Sequence, residues 1–449
     1  MTNTETAYNL ALDYIYSYVD YSLKHSSELA RADFNLDRMR ALMKALGDPQ
    51  SRYPILHVAG TKGKGSVCAL AASALQAAGY KTGLYTSPHL LDFAERIQID
   101  GQPLSHEIFV ELVEEIKPAV ASIERLTTFE ITTALGFLAF ARAGCTAAVI
   151  EVGLGGRLDA TNVVLPCVSV ITSLSYDHMA VLGDTLAKIA AEKAGIIKPG
   201  VPVVSAPQKG EALEVLLRIA GERGCETRLV GRDLQVEPVR GSLDGQSLRI
   251  IEGGRGRRFR IPLLGLHQLT NAATAYAALK AGGMRVPEKA IREGFANVRW
   301  RARFEVARRD PPVIFDSAHN EDSFARLRET LDTYFPGRPL HLIFGASEDK
   351  NIPGMLGEVR RRAGQLILTR ADHPRALAPE HLAGLAEEAG LRHETILPVE
   401  AALWHALALA RQVGGIVLSA GSRFVTAEVM AAWEKMNAQP RIQSPAEER

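Results

Sequence analysis

Apolar runs rich in β-branched residues alternate along this chain with Ala-, Leu-, Glu-, Lys- and Arg-rich segments of helical period. Parallel strands need a long crossover connection, usually a helix, and strands that are buried on both faces have continuous apolar sequences. The alternation therefore predicts an α/β fold built on an open, mostly parallel sheet of the doubly wound class. The strands predicted in the first half are 55–59, 81–86, 147–152, 168–173 and 201–205.

The pattern changes twice along the 449 residues, a length that predicts two or three domains. Between 227 and 262, short alternating segments broken by Gly-Gly and Arg-rich turns predict antiparallel hairpins, and a helix over 268–281 is expected to close the first domain. A second alternation starts near Arg303. We therefore expect an N-terminal domain over 1–299 and a smaller, Rossmann-like α/β domain over 300–449, whose last residues form a frayed tail.

Charge and cysteine content exclude several classes of protein. Lys and Arg total 52 against 51 for Asp and Glu, so the net charge of +1 gives no reason to expect nucleic acid or an anionic membrane as partner. The four cysteines lack CxxC or zinc-site spacing, which favours a reducing cytosol. The N-terminus lacks the basic segment of a signal peptide, and no apolar run approaches the roughly 18 residues of a membrane span. We expect a cytoplasmic protein.

The strongest local motif is a strand, a glycine-rich turn and an Ala-rich helix in direct succession, ILHVAGTKGKGSVCALAASALQAAGY. Gly60, Gly63 and Gly65 let backbone N–H groups turn towards a phosphate, Lys64 can reach the β- and γ-phosphates, and Ser66 can face Mg²⁺. The motif predicts a P-loop-type ATP site. A generic flexible turn is the alternative, because Gly65 separates Lys64 from the hydroxyl residue and the match to GxxxxGK[ST] is imperfect.

Polar residues also follow other predicted strands, at the edge where ligands bind in open α/β sheets. Glu151 ends one strand, and Asp177 and His178 follow another. These groups could hold a divalent cation between phosphates, although Mg²⁺ prefers oxygen ligands and His178 could instead be a structural hydrogen-bonding residue.

Two further segments are open to more than one interpretation. Spacing alone favours Lys193 as a surface lysine whose aliphatic stem packs on the protein. In the second domain, DSAHN follows a strand, and its residues Asp316, His319 and Asn320 suit either helix capping or contact with a nucleotide.

Seven motifs occur in an order that resembles the folylpolyglutamate synthases and dihydrofolate synthases of the Mur ligase superfamily. They are HVAGTKGKGS, YTSPHLLDFAERIQIDG, VIEVGLGGRLDATNVV, DHMAVLGDTLAKIAAEKAGIIKPG, LGLHQLTNAATA, RARFEV and DSAHN. The resemblance implies ATP-dependent joining of the L-glutamate amine to a pteroate or folate carboxylate through an acyl phosphate. The LDATN motif is more similar to that of bifunctional bacterial members of the family. The resemblance also implies that the protein is a monomer.

The same resemblance implies an active site in the cleft between the two domains, with Lys64, His178 and Lys193 in catalytic roles. Lys193 would be carbamylated, which reverses its interpretation as a surface residue. The residues implied to bind ATP are Thr61, Lys62, Gly63, Lys64, Gly65, Ser66, Asn271, Arg303, Asp316 and His319. Those implied to bind Mg²⁺ are Ser66, Ser87, Glu151 and His178.

A second group of residues is implied to bind the pterin ring of dihydropteroate or a folate. Ordinary helix packing of Phe129 and a turn at Asp159 are the structural alternatives, although Phe129 could stack on a flat ring and acidic groups could pair with its N–H donors. The residues of this group are Thr127, Thr128, Phe129, Glu130, Leu158, Asp159 and Ala160.

The chain departs from the family pattern at two positions and leaves two other functions to consider. Lys62 stands where the family usually has Asn, and Ser317 stands where it commonly has Gly. The alternatives to a folate ligase are a Mur-type ligase that adds an amino acid to a cell-wall precursor and a P-loop switch that binds nucleotide to control a partner.

Overall fold

The computed structural model describes residues 3–20 and 34–438. The chain divides into two compact units, Met1–Trp300 and Arg301–Arg449. The sequence-based boundary lay one residue earlier, and most of the predicted C-terminal tail lies outside the described residues. No helix in the described part of the chain is long and apolar enough to span a membrane.

The first unit contains an eight-stranded sheet whose order is β4-β3-β2-β5-β1-β6-β7-β8. The strands from β2 across to β8 pair in parallel, and β3 and β4 form an antiparallel edge. The strands are β1 (Ile55–Ala59), β2 (Thr82–Tyr85), β3 (Ile97–Ile99), β4 (Gln102–Pro103), β5 (Ala147–Glu151), β6 (Val168–Ile171), β7 (Val203–Ser205) and β8 (Thr227–Leu229).

Helices cover both faces of this sheet, because alternate residues of its strands supply two separate cores. Leu56 and Val58 of β1 belong to one core, and Ile55 belongs to the other. The helices of the first unit are α1 (Asn3–Tyr16), α2 (Asp37–Ala45), α3 (Lys64–Ala77), α4 (His106–Ala121), α5 (Thr128–Arg142), α6 (Met179–Leu182), α7 (Leu186–Ala194), α8 (Gly210–Glu222), α9 (Leu266–Ala281) and α10 (Glu288–Asn297). The predicted doubly wound class is confirmed.

Helix α3, which follows the phosphate loop, is buried on nearly every side. Its small residues let α10 approach so closely that a Cβ on Gly294 would lie 2.4 Å from the Ala74 Cα. The start of α3 is therefore held rigidly against the sheet and its neighbouring helices.

The hairpin prediction for 227–262 is wrong at its start. Thr227–Leu229 pairs in parallel with β7 as the last strand of the large sheet. The remainder does form an antiparallel three-stranded sheet, composed of β9 (Leu234–Ser242), β10 (Gly245–Glu252) and β11 (Arg255–Ile261). Helix α10 and strands β3 and β4 were not predicted.

The second unit is built on a six-stranded sheet in the order β12-β13-β17-β14-β15-β16, with β12 antiparallel to β13 and the other pairs parallel. Its strands are β12 (Glu305–Arg309), β13 (Pro312–Phe315), β14 (Leu340–Phe344), β15 (Ala363–Leu368), β16 (His393–Thr395) and β17 (Ile416–Ala420). Its helices are α11 (Glu321–Tyr334), α12 (Ile352–Val359), α13 (Pro379–Glu388), α14 (Val399–Val413) and α15 (Arg423–Ala438).

The buried imidazole of His57 on β1 should make the protein sensitive to acid. Its Nε2 lies 2.8 Å from the Thr161 hydroxyl, and burial lowers the pKa of His57 to about 3. As the pH falls from about 6.5 towards 3, the unfolded chain binds a proton that folded His57 does not, so we expect the free energy of unfolding to fall by up to about 1.4 kcal/mol per pH unit. Urea unfolding between pH 7 and 4 measures this. A His57→Gln variant with an equally steep dependence would contradict it.

Candidate active site

The phosphate loop leaves the sheet at β1, between β5 on one side and β6 on the other. Gly63 has a φ of 87° immediately before α3, and a Cβ there would lie 2.3 Å from the Asn271 Oδ1 of α9. The helix begins at Lys64. The N–H groups of Lys64, Gly65 and Ser66 therefore belong to the first helical turn, where they have no carbonyl one turn earlier and the helix dipole favours an anion.

The two loop residues before Gly63 are bonded to the loop that follows β6. The backbone N–H groups of Thr61 and Lys62 donate to the Ser173 carbonyl at 3.0 and 3.1 Å, and the Thr61 hydroxyl donates to the Ser175 carbonyl at 3.2 Å. Of the predicted phosphate-binding residues, Thr61 and Lys62 thus use their N–H groups within the protein. The N–H groups of the first turn of α3 are the better candidates for contacts with a phosphate.

Glu151 at the end of β5 lies close to the phosphate loop and to the loop after β2. Its carboxylate is 3.9 Å from the Lys64 Nζ and accepts the Ser87 N–H at 3.3 Å, and only 8% of its side chain is exposed. Strands β2, β5 and β1 are adjacent and parallel, so their carboxyl ends bring these three residues together. The expected clustering of Ser87 and Glu151 beside Lys64 is therefore present.

This cluster has the donor chemistry of a magnesium site. Magnesium in phosphate-transfer sites takes one or two carboxylates, hydroxyls, waters and substrate phosphates rather than an all-protein cage. In the described residues, no group of three His, Cys, Asp or Glu side chains could hold a metal. One buried carboxylate, Glu151, with the hydroxyl residues Ser87 on the loop after β2 and Ser66 in the first turn of α3, fits that requirement.

His178 lies on the turn after β6, at the start of α6. It has a left-handed φ of 50°, and its Nε2 is 3.9 Å from the Asp177 carboxylate. Asp177 is also 3.3 Å from the Lys62 Nζ. The turn that carries His178 is thus connected to the phosphate loop through Asp177.

Lys193 is buried, so the spacing-based interpretation of a surface lysine is wrong. Only 5% of the residue is exposed, and its Nζ donates to the Gly60 carbonyl at 2.9 Å. Burial, and secondly the positive charge of Lys64, lower the pKa of Lys193 to about 7. Near neutral pH, the uncharged and nucleophilic form of this amine is therefore more accessible than that of an exposed lysine.

Most residues expected to bind the pterin have structural contacts. Thr127 and Glu130 form a reciprocal capping box at the start of α5, and Thr128 donates through its hydroxyl to the Ile15 and Tyr18 carbonyls at 3.1 Å. Phe129 is half-buried against Gly153, where an added Cβ would lie 2.4 Å from the ring. These contacts explain the local structure and leave the ring of Phe129 as the best candidate for stacking.

The second pterin-binding segment is a tight turn. The Asp159 carboxylate accepts the Leu154 N–H at 2.9 Å and the Thr161 N–H at 3.0 Å, and burial raises its pKa. Leu158 is half-buried and Ala160 buried. The turn interpretation of Asp159 therefore accounts for its buried carboxylate.

Of the predicted residues of the second unit, Asp316, His319 and Asn320 follow β13, whereas Arg303 precedes β12. The Asp316 carboxylate accepts the Phe304 N–H at 2.8 Å and the Ala318 N–H at 2.7 Å, and burial raises its pKa against the opposing charge of Arg303. The His319 Nδ1 lies 2.8 Å from the Ser317 carbonyl. Asn320 caps α11, as the capping interpretation predicted.

Both units match domains of known ligases. The Mur ligase middle domain matches residues 58–279, and the Mur ligase, glutamate ligase domain matches residues 302–423. The dihydrofolate synthase/folylpolyglutamate synthase of Bacillus subtilis is 36% identical over 393 residues, which cover 85% of this chain and 89% of that protein. This chain belongs to the dihydrofolate synthase/folylpolyglutamate synthase family.

Solved structures of this family have the same fold. Mycobacterium tuberculosis folylpolyglutamate synthase complexed with ADP has a TM-score of 0.88 and 33% identity, covering 98% of this chain and 100% of that chain. Escherichia coli FolC in complex with DHPP and ADP has a TM-score of 0.86 and 30% identity, with the same coverage. The predicted ligase class and fold are confirmed, and the ADP complexes support the use of ATP.

Two family positions that differ in this chain have local explanations. Ser317 lies outside the left-handed region, and its hydroxyl donates to the Ala302 carbonyl at 3.1 Å, so glycine is not required there. Lys62 has Asp177 as an ion-pair partner. Trp300 beside the phosphate loop was not predicted, and a Cβ on Gly65 would lie 2.8 Å from its ring. The only sequence feature that could have indicated it is its position just before RARFEV.

Proposed function

We propose that this family member adds L-glutamate to dihydropteroate and to reduced folates in an ATP-dependent reaction. The observation that carries the proposal is the convergence of Lys64 and Glu151 at the start of α3, with 3.9 Å between the ammonium and the carboxylate. A cation for phosphate and an oxygen ligand for a metal are the two components that phosphoryl transfer to an anion needs. The proposed acceptors, dihydropteroate and reduced folates, follow from the similarity to dihydrofolate synthases and folylpolyglutamate synthases.

The proposed reaction has two steps whose charges the loop residues offset. A carboxylate oxygen of the pterin substrate attacks the γ-phosphorus, and the bond to the β-phosphate oxygen breaks to release ADP. The glutamate amine then attacks the acyl carbon, loses a proton, and expels phosphate from the tetrahedral intermediate. Lys64 and the first-turn N–H groups would hold the phosphates, while Mg²⁺ on Glu151, Ser87, Ser66 and His178 would supply further positive charge.

We further propose that Lys193 reacts with CO₂ to form a carbamate. The Lys193 ammonium first loses a proton. The neutral amine then attacks the carbon of CO₂, so that a C–N bond forms while one C=O π bond breaks onto oxygen, and the nitrogen releases a second proton, which leaves an anionic carbamate in place of the original cation. Support comes from the pKa of about 7, which makes the neutral amine available, and from the position of its Nζ at the Gly60 carbonyl beside the phosphate loop. The carbamate would add an oxygen ligand close to the metal.

The remaining assignments stay predictions. Phe129 would stack on the pterin, with Thr127, Thr128, Glu130, Leu158, Asp159 and Ala160 shaping that site. Asn271, Arg303, Asp316 and His319 would contact ATP. We propose that the protein is a cytoplasmic monomer without nucleic acid or membrane partners. Analytical ultracentrifugation tests whether it is a monomer.

The test of this function is phosphate release by the purified protein with ATP, Mg²⁺ and L-glutamate. The assay compares reactions with dihydropteroate, with tetrahydrofolate and without a pterin. The Lys64→Ala variant is the negative control. We expect glutamate-dependent release with both pterins and none without a pterin. Turnover with only one pterin would contradict bifunctionality. Turnover with a UDP-linked muropeptide instead, or nucleotide binding without turnover, would favour the cell-wall ligase or the switch.

A further inference from the structure

Lys62 makes an ion pair that is much less exposed to solvent than an ordinary surface pair. Its Nζ lies 3.3 Å from the Asp177 Oδ2, and the two side chains are 21% and 14% exposed. The Lys188–Asp184 pair, one helix further along the chain, has 63% and 77% exposure. Solvent screening weakens exposed ion pairs to about 1 kcal/mol or less. Of these two pairs, Lys62–Asp177 is therefore the one that can restrain the loop that carries it.

Asp177 connects this ammonium to the backbone of His178. While Oδ2 faces Lys62, Oδ1 accepts the His178 N–H at 3.1 Å. His178 adopts a left-handed φ of 50°, a conformation that non-glycine residues keep only where neighbouring contacts hold it. One carboxylate thus joins the phosphate loop to the strained residue.

Further contacts fix the rest of the segment that carries His178. The Lys62 N–H donates to the Ser173 carbonyl. The Gln208 side chain bonds to the two residues that flank Ser173, accepting the Leu174 N–H at 3.1 Å and donating to the Thr172 carbonyl at 2.9 Å. The start of this segment is therefore held by its backbone. At its end, the His178 carbonyl accepts the Val181 and Leu182 N–H groups at 2.9 and 3.0 Å, and the Asp177 carboxylate adds the contact with the Lys62 side chain.

We infer that Lys62 is a positioning residue for His178, acting through the Asp177 carboxylate rather than by binding phosphate itself. The inference rests on the proposed Mg²⁺-dependent function, in which His178 is a metal ligand. A residue that orients a ligand from behind affects metal affinity by roughly 10- to 100-fold. Lys62 should therefore control the affinity for Mg·ATP and contribute little to the binding of ATP without metal.

The experiment is a double-mutant cycle on nucleotide binding by the full-length protein. Calorimetry measures the Kd of ATP, with Mg²⁺ and with EDTA, for the wild type, Lys62→Met, Asp177→Asn and the double variant. We expect each single variant to weaken Mg·ATP binding about 10-fold, the double variant to be no weaker than either, and binding in EDTA to change less than twofold. Lys62→Arg should restore much of the affinity, and Lys188→Met serves as the matched exposed-lysine control.

Hydrogen exchange supplies a readout that needs neither metal nor turnover. Peptides covering 173–179 should exchange faster in Lys62→Met and Asp177→Asn than in the wild type or Lys188→Met, while peptides of β1 and α5 remain unchanged. Failure of the proposed ligase function would leave this result intact. Loss of ATP binding in EDTA by Lys62→Met would show that Lys62 contacts phosphate directly, and additive effects of the two substitutions would show that Lys62 does not act through Asp177. Unchanged exchange at 173–179 would also overturn the inference.

Discussion

Replacing Lys64 with Met should lower kcat/KM for Mg·ATP by about 10³-fold. Lys64 is the first residue of α3, and 17% of its side chain is exposed, so its charge is little screened. The substitution keeps the length of the stem and removes the charge that would offset the transferring phosphoryl group. It also leaves Glu151 without this cation, which adds to the loss.

Initial-rate kinetics with dihydropteroate and L-glutamate measure this effect. Lys64→Arg should retain part of the activity because it keeps the charge, although a planar guanidinium does not match an ammonium at a crowded loop. Lys188→Met, which removes an exposed lysine, should be indistinguishable from the wild type. A Lys64→Met enzyme within tenfold of the wild type, with unchanged thermal stability, would exclude Lys64 from phosphoryl transfer.

Replacing Lys193 with Ala should reduce kcat by about 10²-fold, and a short carboxylic acid such as acetate should restore part of it. The substitution removes the proposed carbamate and leaves space for a free carboxylate. Loss of the hydrogen bond to the Gly60 carbonyl alone would reduce activity without rescue by acid. Rescue therefore separates an anionic metal ligand from a structural lysine.

The proposed carbamate also predicts a dependence on pH and CO₂ in the wild type. Because the pKa of Lys193 is about 7, the reactive neutral amine increases as the pH rises through 7. Activity in CO₂-depleted buffer should be low and should recover with bicarbonate, more fully at pH 8 than at pH 6. Native mass spectrometry should detect the added mass of CO₂. Equal activity with and without bicarbonate, and no adduct, would contradict carbamylation.

The parts of the fold best predicted from sequence are those with a strong pattern and a clear boundary. The predicted range 55–59 matches β1, because a continuous apolar run forms the strand and a glycine turn ends it. Besides helix α10, the errors concern short strands, most of them at sheet edges. Residues 227–229 are too few to show whether a strand pairs in parallel, and β12 and β16 lack a continuous apolar run.

The sequence predicted which residues belong to the candidate site better than it predicted how they contact one another. The succession of a strand, a glycine-rich turn and a helix in the sequence indicates the phosphate loop. The adjacency of β2, β5 and β1, which the structure shows, brings Ser87 next to Glu151. Burial of Lys193 depends on which side of α7 faces the sheet, and its spacing among alanines does not determine this. The Lys62–Asp177 contact joins residues 115 positions apart, so local sequence carries no information about it.

The contact between Lys64 and Glu151 has a consequence for the sequence of ligand arrival. These side chains would serve different components of one ligand, Lys64 the phosphates and Glu151 the metal, and in the structure they face each other at 3.9 Å. Either component arriving alone must draw one of these side chains away from its oppositely charged neighbour in a site where both are largely shielded from water. A preformed Mg·ATP complex supplies a new partner to both at once. The pair thus favours concerted entry of the chelate over stepwise loading of free nucleotide and free cation.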